Sequence, residues 1–233
     1  MQAAASPLAR SEPVPNRLAE AARYAVLQRI APVLRHDVAG LMQPVAMLMI
    51  VLQRRVQSPE PDMLTIAKNV ASASAMAKEA TAGYMSVMGW IGAREDAEVS
   101  LRSSVNEAAT LLAMELSAQG LEISNIISSD AVTVPQSFFR SVLVGALLAF
   151  CDQRTAGSTL QISLHTETEN GSTANQLMLR MLPGDAPVVP SADRPSRPMD
   201  WPDVEAMAGS FGVAVTRGEG YLALGLFQAG SRT

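Results

Sequence analysis

The sequence predicts an α+β protein: a long two-helix hairpin that pairs with a second copy as a dimeric four-helix bundle, followed by an α/β sandwich. Three observations predict it. Leu27, Leu34, Leu41 and Leu48 recur every seven residues, and Ala31, Val38, Val45 and Leu52 follow each of them by four. Those two lines make the seam of a helix that packs in a bundle. A turn at Ser58-Pro59-Glu60-Pro61-Asp62 then precedes a second apolar-periodic segment. Beyond about residue 98, helical and alternating stretches follow one another, which is the pattern of a sheet covered by helices on one face.

The first helix is expected over about Glu20 to Gln53, with Pro32 and Pro44 inside it. Each proline removes one backbone hydrogen bond and should bend the helix, and Pro32 could mark a break with a shorter helix ahead of it. The second helix is expected over about Pro61 to Trp90. Its seam lines are Met63, Val70, Ala77 and Tyr84, and Ile66, Ala73, Ala80 and Val87. The many alanines allow close approach. A two-helix hairpin cannot bury both sides of its seam alone, so a second copy across a two-fold axis is the economical partner, giving a homodimer. The alternative is that the C-terminal half covers the hairpin within one chain.

Three regions are expected: residues 1–19 as a mobile tail rich in Ala, Ser and Pro, residues 20–92 as the hairpin, and residues 98–233 as the α/β domain. Gly89, Gly92 and Arg94-Glu95-Asp96 mark the boundary. Within the last region, Ser100 to Ala118 reads as a helix ended by Gly120, and Leu121 to Ile126 as a strand. Gln136 to Cys151 reads as a buried helix opened by Pro135. Thr159 to Thr168 and Gln176 to Leu182 alternate as strands. Pro183, Pro187, Pro190, Pro195 and Pro198 make a long irregular loop, after which Pro202 to Ser210 is a short helix. Val213 to Thr216 and Tyr221 to Phe227 are the last strands, joined through Gly218-Glu219-Gly220.

Bulk properties bound the function. The 233 residues are 48% apolar and 17% charged, ample for a core. A net charge of −4 argues against a nucleic-acid binder, which needs a basic surface. The one cysteine, Cys151, excludes an internal disulfide framework and fits a reducing compartment. No apolar export core is seen near Arg10 and Arg17. The apolar window Leu41 to Leu52 is interrupted by Gln43 and Pro44 and is shorter than the about 20 residues of a membrane span. A cytoplasmic protein without membrane attachment is expected.

With the Leu line at d, His36 falls at f and Asp37 at g. The histidine is therefore expected in water, on a stiff helix, beside a carboxylate. The stretch His36-Asp37-Val38 followed by Leu41-Met42-Gln43-Pro44-Val45 resembles the H-box of two-component sensor histidine kinases, in its His-Asp-apolar-x-x-Leu-Leu-x-Pro-apolar form. The resemblance to their dimerisation and histidine phosphotransfer region covers about Glu20 to Trp90. Over about Ser100 to Phe227 it rests on element order and on Phe211-Gly212, and it implies a histidine-kinase-ATPase-like sandwich.

Departures from that family are informative. Where it carries a magnesium-holding asparagine, Gly145 stands. Leu182 or Met181 replaces the adenine-recognising aspartate, with Asp185 too late to serve. The glycine-rich phosphate lid is replaced by the proline-rich loop. The resemblance thus implies a kinase scaffold with a degenerate nucleotide site, as in dimeric histidine phosphotransferases. It implies a phosphorelay role: phosphoryl passing between receiver-domain aspartates of response regulators through His36, with no cofactor and no metal ligand in this chain.

A neutral imidazole is a good nucleophile, since histidine titrates near pH ~6.5 in general. Asp37 is a candidate for handling its second proton, and Arg35 for facing the phosphoryl oxygens. Gly40, Met42 and Met47, near the His36 side, are candidates for docking a partner, together with Val33 and Ile50. Plainer alternatives stand beside each. His36 could be a surface histidine, Asp37 a solvated carboxylate, Arg35 a surface charge, and the methionines core filler. His165 reads as an outward strand residue and Cys151 as core. Gly40 stands where kinases with phosphatase activity carry Thr or Asn. An ATP-dependent kinase with a divergent site and a non-catalytic adaptor for a response regulator are the rival readings.

Overall fold

In the computed structural model, residues 16–91, 97–153, 159–169, 172–184 and 197–226 are described. Helix α1 spans Arg17–Val56 and α2 spans Met63–Ile91. The Asn16 side chain caps α1 by accepting from the Ala19 N–H at 3.3 Å. The helix runs unbroken through Pro32 and Pro44, so neither proline divides it. Asp62 opens α2: one carboxylate oxygen accepts from the Leu64 and Thr65 N–H groups at 3.1 and 3.2 Å, the other from the Thr65 hydroxyl at 2.6 Å. Those bonds, the Thr65 hydroxyl first, hold the Asp62 carboxyl below its ordinary range.

Leu52, Ile66 and Ala73 form a small core between α1 and α2, with Leu48 against it. Gly83 permits close approach higher up, since a Cβ there would overlap Leu41 Cδ1. Only one of the two α2 seam lines is covered. Ile66, Ala73 and Ala80 are buried, whereas Met63, Val70 and Tyr84 stay 49–67% exposed.

The remaining elements are β1 (Glu98–Ser100), α3 (Leu101–Leu111), α4 (Ala113–Ala118), β2 (Glu122–Asn125), β3 (Thr133–Pro135), α5 (Gln136–Phe138), a π-helical turn (Phe139–Leu143), α6 (Val144–Asp152), β4 (Thr159–Glu169), β5 (Ser172–Leu182), α7 (Trp201–Gly209), β6 (Val215–Gly218) and β7 (Tyr221–Gly225). The helix expected over 100–118 breaks at Leu112, and the last strand pair starts at Val215 instead of Val213. Phe227, Asp185 and most of the proline-rich loop lie outside the described residues, as do Gly92 and the tail up to residue 15.

The main sheet has the order β2-β4-β5-β7-β6, parallel between β2 and β4 and antiparallel elsewhere. Strand alternation sends Leu160, Ile162, Leu177, Leu179, Leu222 and Leu224 to one face. They join Phe138, Phe139, Leu143, Leu147 and Val204 from the helices in one core. Each fully buried side chain of that size contributes about 1.5–3 kcal/mol. This is the expected hairpin plus α+β layer.

The N-terminal half of α1 belongs to that core as well. Ala19, Ala22, Val26 and Ile30 are buried in one cluster with residues of α6 and α7 and with Trp90 at the end of α2. Gly145 explains the approach: a Cβ there would overlap Met207 Cε of α7 and stand 3.6 Å from Val26 Cγ2 of α1. The hairpin is therefore anchored to the sandwich by its own first helix.

Candidate functional site

His36 lies past the point where α1 leaves the sandwich, one turn beyond Pro32. Its side chain is 83% exposed, and Nδ1 stands 3.5 Å from Asp37 Oδ1. Both residues line a cleft of about 900 Å³ between the hairpin and α3–α4. Opposite them are Glu107, Leu111, Met114 and Glu115, and Trp90 closes the α2 side. Burial pushes the Glu107 carboxyl up, opposed by the charge of Arg140.

At the base of the cleft, Arg29 is buried and donates to Asp152 at 2.8 and 3.0 Å and to Glu115. Asp152 also accepts from the Met199 N–H at 2.7 Å. This network joins α1, α4 and the end of α6, and so fixes the distance between the His36 turn and the cleft's far wall. One guanidinium and two carboxylates share hydrogen bonds there, which is what makes burying them tolerable.

Arg35 is not brought to this cleft. It lines an apolar groove with Tyr24, Leu27, Ala31, Val38 and Val87 on another side of α1. Gly40 is exposed, one turn past His36, and nothing stands within 4 Å of where its Cβ would be. Its carbonyl receives no helical N–H from Pro44. Met42 and Met47 are exposed, at 52% and 61%, and Ile50 likewise. His165 is exposed on β4, with Nε2 3.2 Å from the Ser163 hydroxyl, and Cys151 is buried. Arg29, Glu107 and Glu115 carry no motif in the sequence. Arg29 could have been noticed as a charge three residues past Val26 and one before Ile30, on an otherwise apolar line.

The fold and site define a class: a histidine-bearing helical hairpin docked onto an α+β sandwich, the arrangement that the resemblance to histidine kinase cores implies. No family profile and no curated relative matches the sequence. Similar solved structures include the cytoplasmic segment of histidine kinase QseC, at TM-score 0.42 and 10% identity over 59% of this chain and 81% of that one. Acinetobacter baumannii histidine kinase AdeS matches at 0.41 and 13%, over 80% and 98%. A bacterial phosphotransferase matches at 0.32 and 14%, over 92% and 98%. Likenesses this distant carry no functional weight.

Proposed function

We propose that this chain is a cytoplasmic histidine phosphotransferase of a two-component phosphorelay, accepting phosphoryl from one receiver-domain aspartate on His36 and passing it to another. The observation that carries this reading is the exposure of His36 on a stiff, anchored helix, with Asp37 beside Nδ1. In the tautomer with its proton on Nδ1, toward that carboxylate, Nε2 carries the lone pair for attack. Nε2 attacks the phosphorus in line, forming a P–N bond as the P–O bond to the donor aspartate breaks. The aspartate leaves as carboxylate, and Asp37 balances the positive charge on the phosphorylated ring. Attack by a second receiver's carboxylate on the same phosphorus reverses the sequence. Gly40, Met42, Met47 and Ile50 offer the adjacent docking surface, one turn or more along the same helix.

The place where an ATP-dependent relative would hold magnesium supports transfer without ATP. Gly145 is covered by Val26 and Met207, and it brings no oxygen ligand of the kind magnesium needs. The residues present do not fit a magnesium nucleotide at that position.

The second copy is proposed on the uncovered apolar lines. Met63, Val70, Tyr84 and Met85 on α2 stand exposed, as does Met49 on α1. By length and composition alone α1 is also apolar enough to cross a membrane. A four-helix bundle covers both lines and leaves His36 outside.

Calorimetric titration of the purified protein with magnesium-ATP separates this reading from an ATP-dependent kinase: no heat of binding is expected, and saturable binding would overturn it. His36→Ala separates it from an adaptor, which keeps its cellular activity where a phosphotransferase loses it.

A further inference from the structure

A second cleft, of about 440 Å³, lies at the junction of α1, the end of α2, the π-helical turn and the residues after α7. Two guanidinium groups line it. Arg23 stacks over the Phe211 ring, 5.5 Å from its centroid, and donates to the Ser210 hydroxyl at 2.5 Å. Arg140 stacks over Trp90 at 5.1 Å and donates to the Gly89 carbonyl. Gly89 is needed for that reach, since a Cβ there would stand 3.0 Å from both terminal guanidinium nitrogens. Gln136 and Ser137 add an amide and a hydroxyl.

The charges are unevenly matched. Among the described residues lining this cleft, none is a carboxylate. Glu107 offsets Arg140 only from the neighbouring His36 cleft. The Arg140 Nε is buried without a hydrogen-bond partner among the described residues. Arginine forks held flat against aromatic faces, with donors to spare, are the groups that recognise planar or tetrahedral oxyanions. The Arg140 backbone belongs to the π-helical turn Phe139–Leu143, a feature that recurs at functional sites. The volume falls in the small-molecule range of about 300–1,000 Å³. It exceeds what an oxyanion alone fills, and the rest of the wall is Val26, Leu27, Ser141 and aromatic carbon.

We propose that this two-arginine cleft binds a small phosphorylated or carboxylated molecule whose anionic head meets Arg23 and Arg140 and whose apolar arm lies against Trp90 and Phe211. The site is separate from His36 and does not depend on its chemistry.

Phenyl phosphate is the probe, titrated calorimetrically into the full chain, with inorganic phosphate and phenol as the two half-ligands. Saturable binding of phenyl phosphate, weaker binding of phosphate and none of phenol are expected. Arg23→Gln, at a half-exposed position, is expected to keep a cooperative melting transition and to weaken phenyl phosphate by about tenfold or more, as loss of a charge-assisted hydrogen bond does. Ser137→Glu places a carboxylate among the arginines and is expected to abolish binding. His36→Ala is expected to bind as the wild type does. No saturable binding of either phosphate, or equal binding by wild type and Arg23→Gln, would overturn the proposal. So would loss of binding in His36→Ala.

Discussion

Arg29 of α1 and Asp152 at the end of α6 form a buried two-point ion pair, Nη1 to Oδ2 at 2.8 Å and Nη2 to Oδ1 at 3.0 Å. Their side chains are 4% and 1% exposed. The pair ties the hairpin to the sandwich 123 residues further along the chain. Removing Arg29 leaves the buried Asp152 carboxylate without its cation. Arg29→Ala is expected to destabilise the protein by about 3–5 kcal/mol, read by urea unfolding. A change under about 1 kcal/mol, the size of an exposed pair, would show that the network is solvated instead.

Gly145 is where an added side chain has no room. Gly145→Asn puts an amide against Met207 and Val26, both buried. Overpacking of this kind costs about 1–3 kcal/mol. The same variant is expected not to gain magnesium-ATP binding, because Val26 of α1 still covers the position. Thermal melting with and without magnesium-ATP checks both statements; a nucleotide-dependent rise in melting temperature would contradict the second.

Asp62 gives the hairpin a pH dependence. Its carboxyl is held below the ordinary value of 3.8, chiefly by the Thr65 hydroxyl. A lowered folded-state pKa contributes stability that is fully present above the unfolded value and is lost as pH falls through the folded one. Asp62→Ala is therefore expected to melt earlier than wild type at neutral pH, with the difference shrinking below pH 3.8. Melting curves at stepped pH measure this, and a gap that persists under full protonation would assign the effect to packing.

The exposed line Met63, Val70, Tyr84 sets the oligomeric prediction. Wild type is expected to scatter light as two chains. Val70→Glu, which places a charge on that line at a 53% exposed position, is expected to scatter as one chain with its own fold intact. A wild-type monomer at micromolar concentration would remove the bundle from the account.

Much of the architecture was legible because periodicity reports faces. Leu34, Leu52, Ile66, Ala73 and Ala80 of the heptad lines are buried while Met63, Val70 and Tyr84 stay exposed, and the alternation in β4 and β5 names the covered face of the sheet. Periodicity does not name partners. Ala19, Ala22, Val26 and Ile30 lie on one helical face, yet nothing in that spacing says they join the core of the sandwich with α6 and α7. The three-residue strands β1 and β3 are too short to alternate. The π-helical turn is a backbone register that side-chain pattern does not encode. At the candidate site, His36 and Asp37 could be placed from their heptad positions, while Arg35 could not be separated from them, since adjacent residues on a helix diverge by about 100°. Glu107 and Glu115 reach the cleft only through the docking of α3–α4 opposite α1.

The proposed phosphotransfer stands or falls with His36 as the phosphoryl carrier. The most direct measurement is to mix the purified protein with a receiver domain phosphorylated on its aspartate, without ATP, and to map any phosphate by mass spectrometry under alkaline conditions that preserve phosphohistidine. One phosphate on the His36 peptide, absent in His36→Ala and discharged by a second, unphosphorylated receiver domain, is the predicted result. A receiver domain that binds but leaves His36 unmodified would contradict the account and make the protein an adaptor.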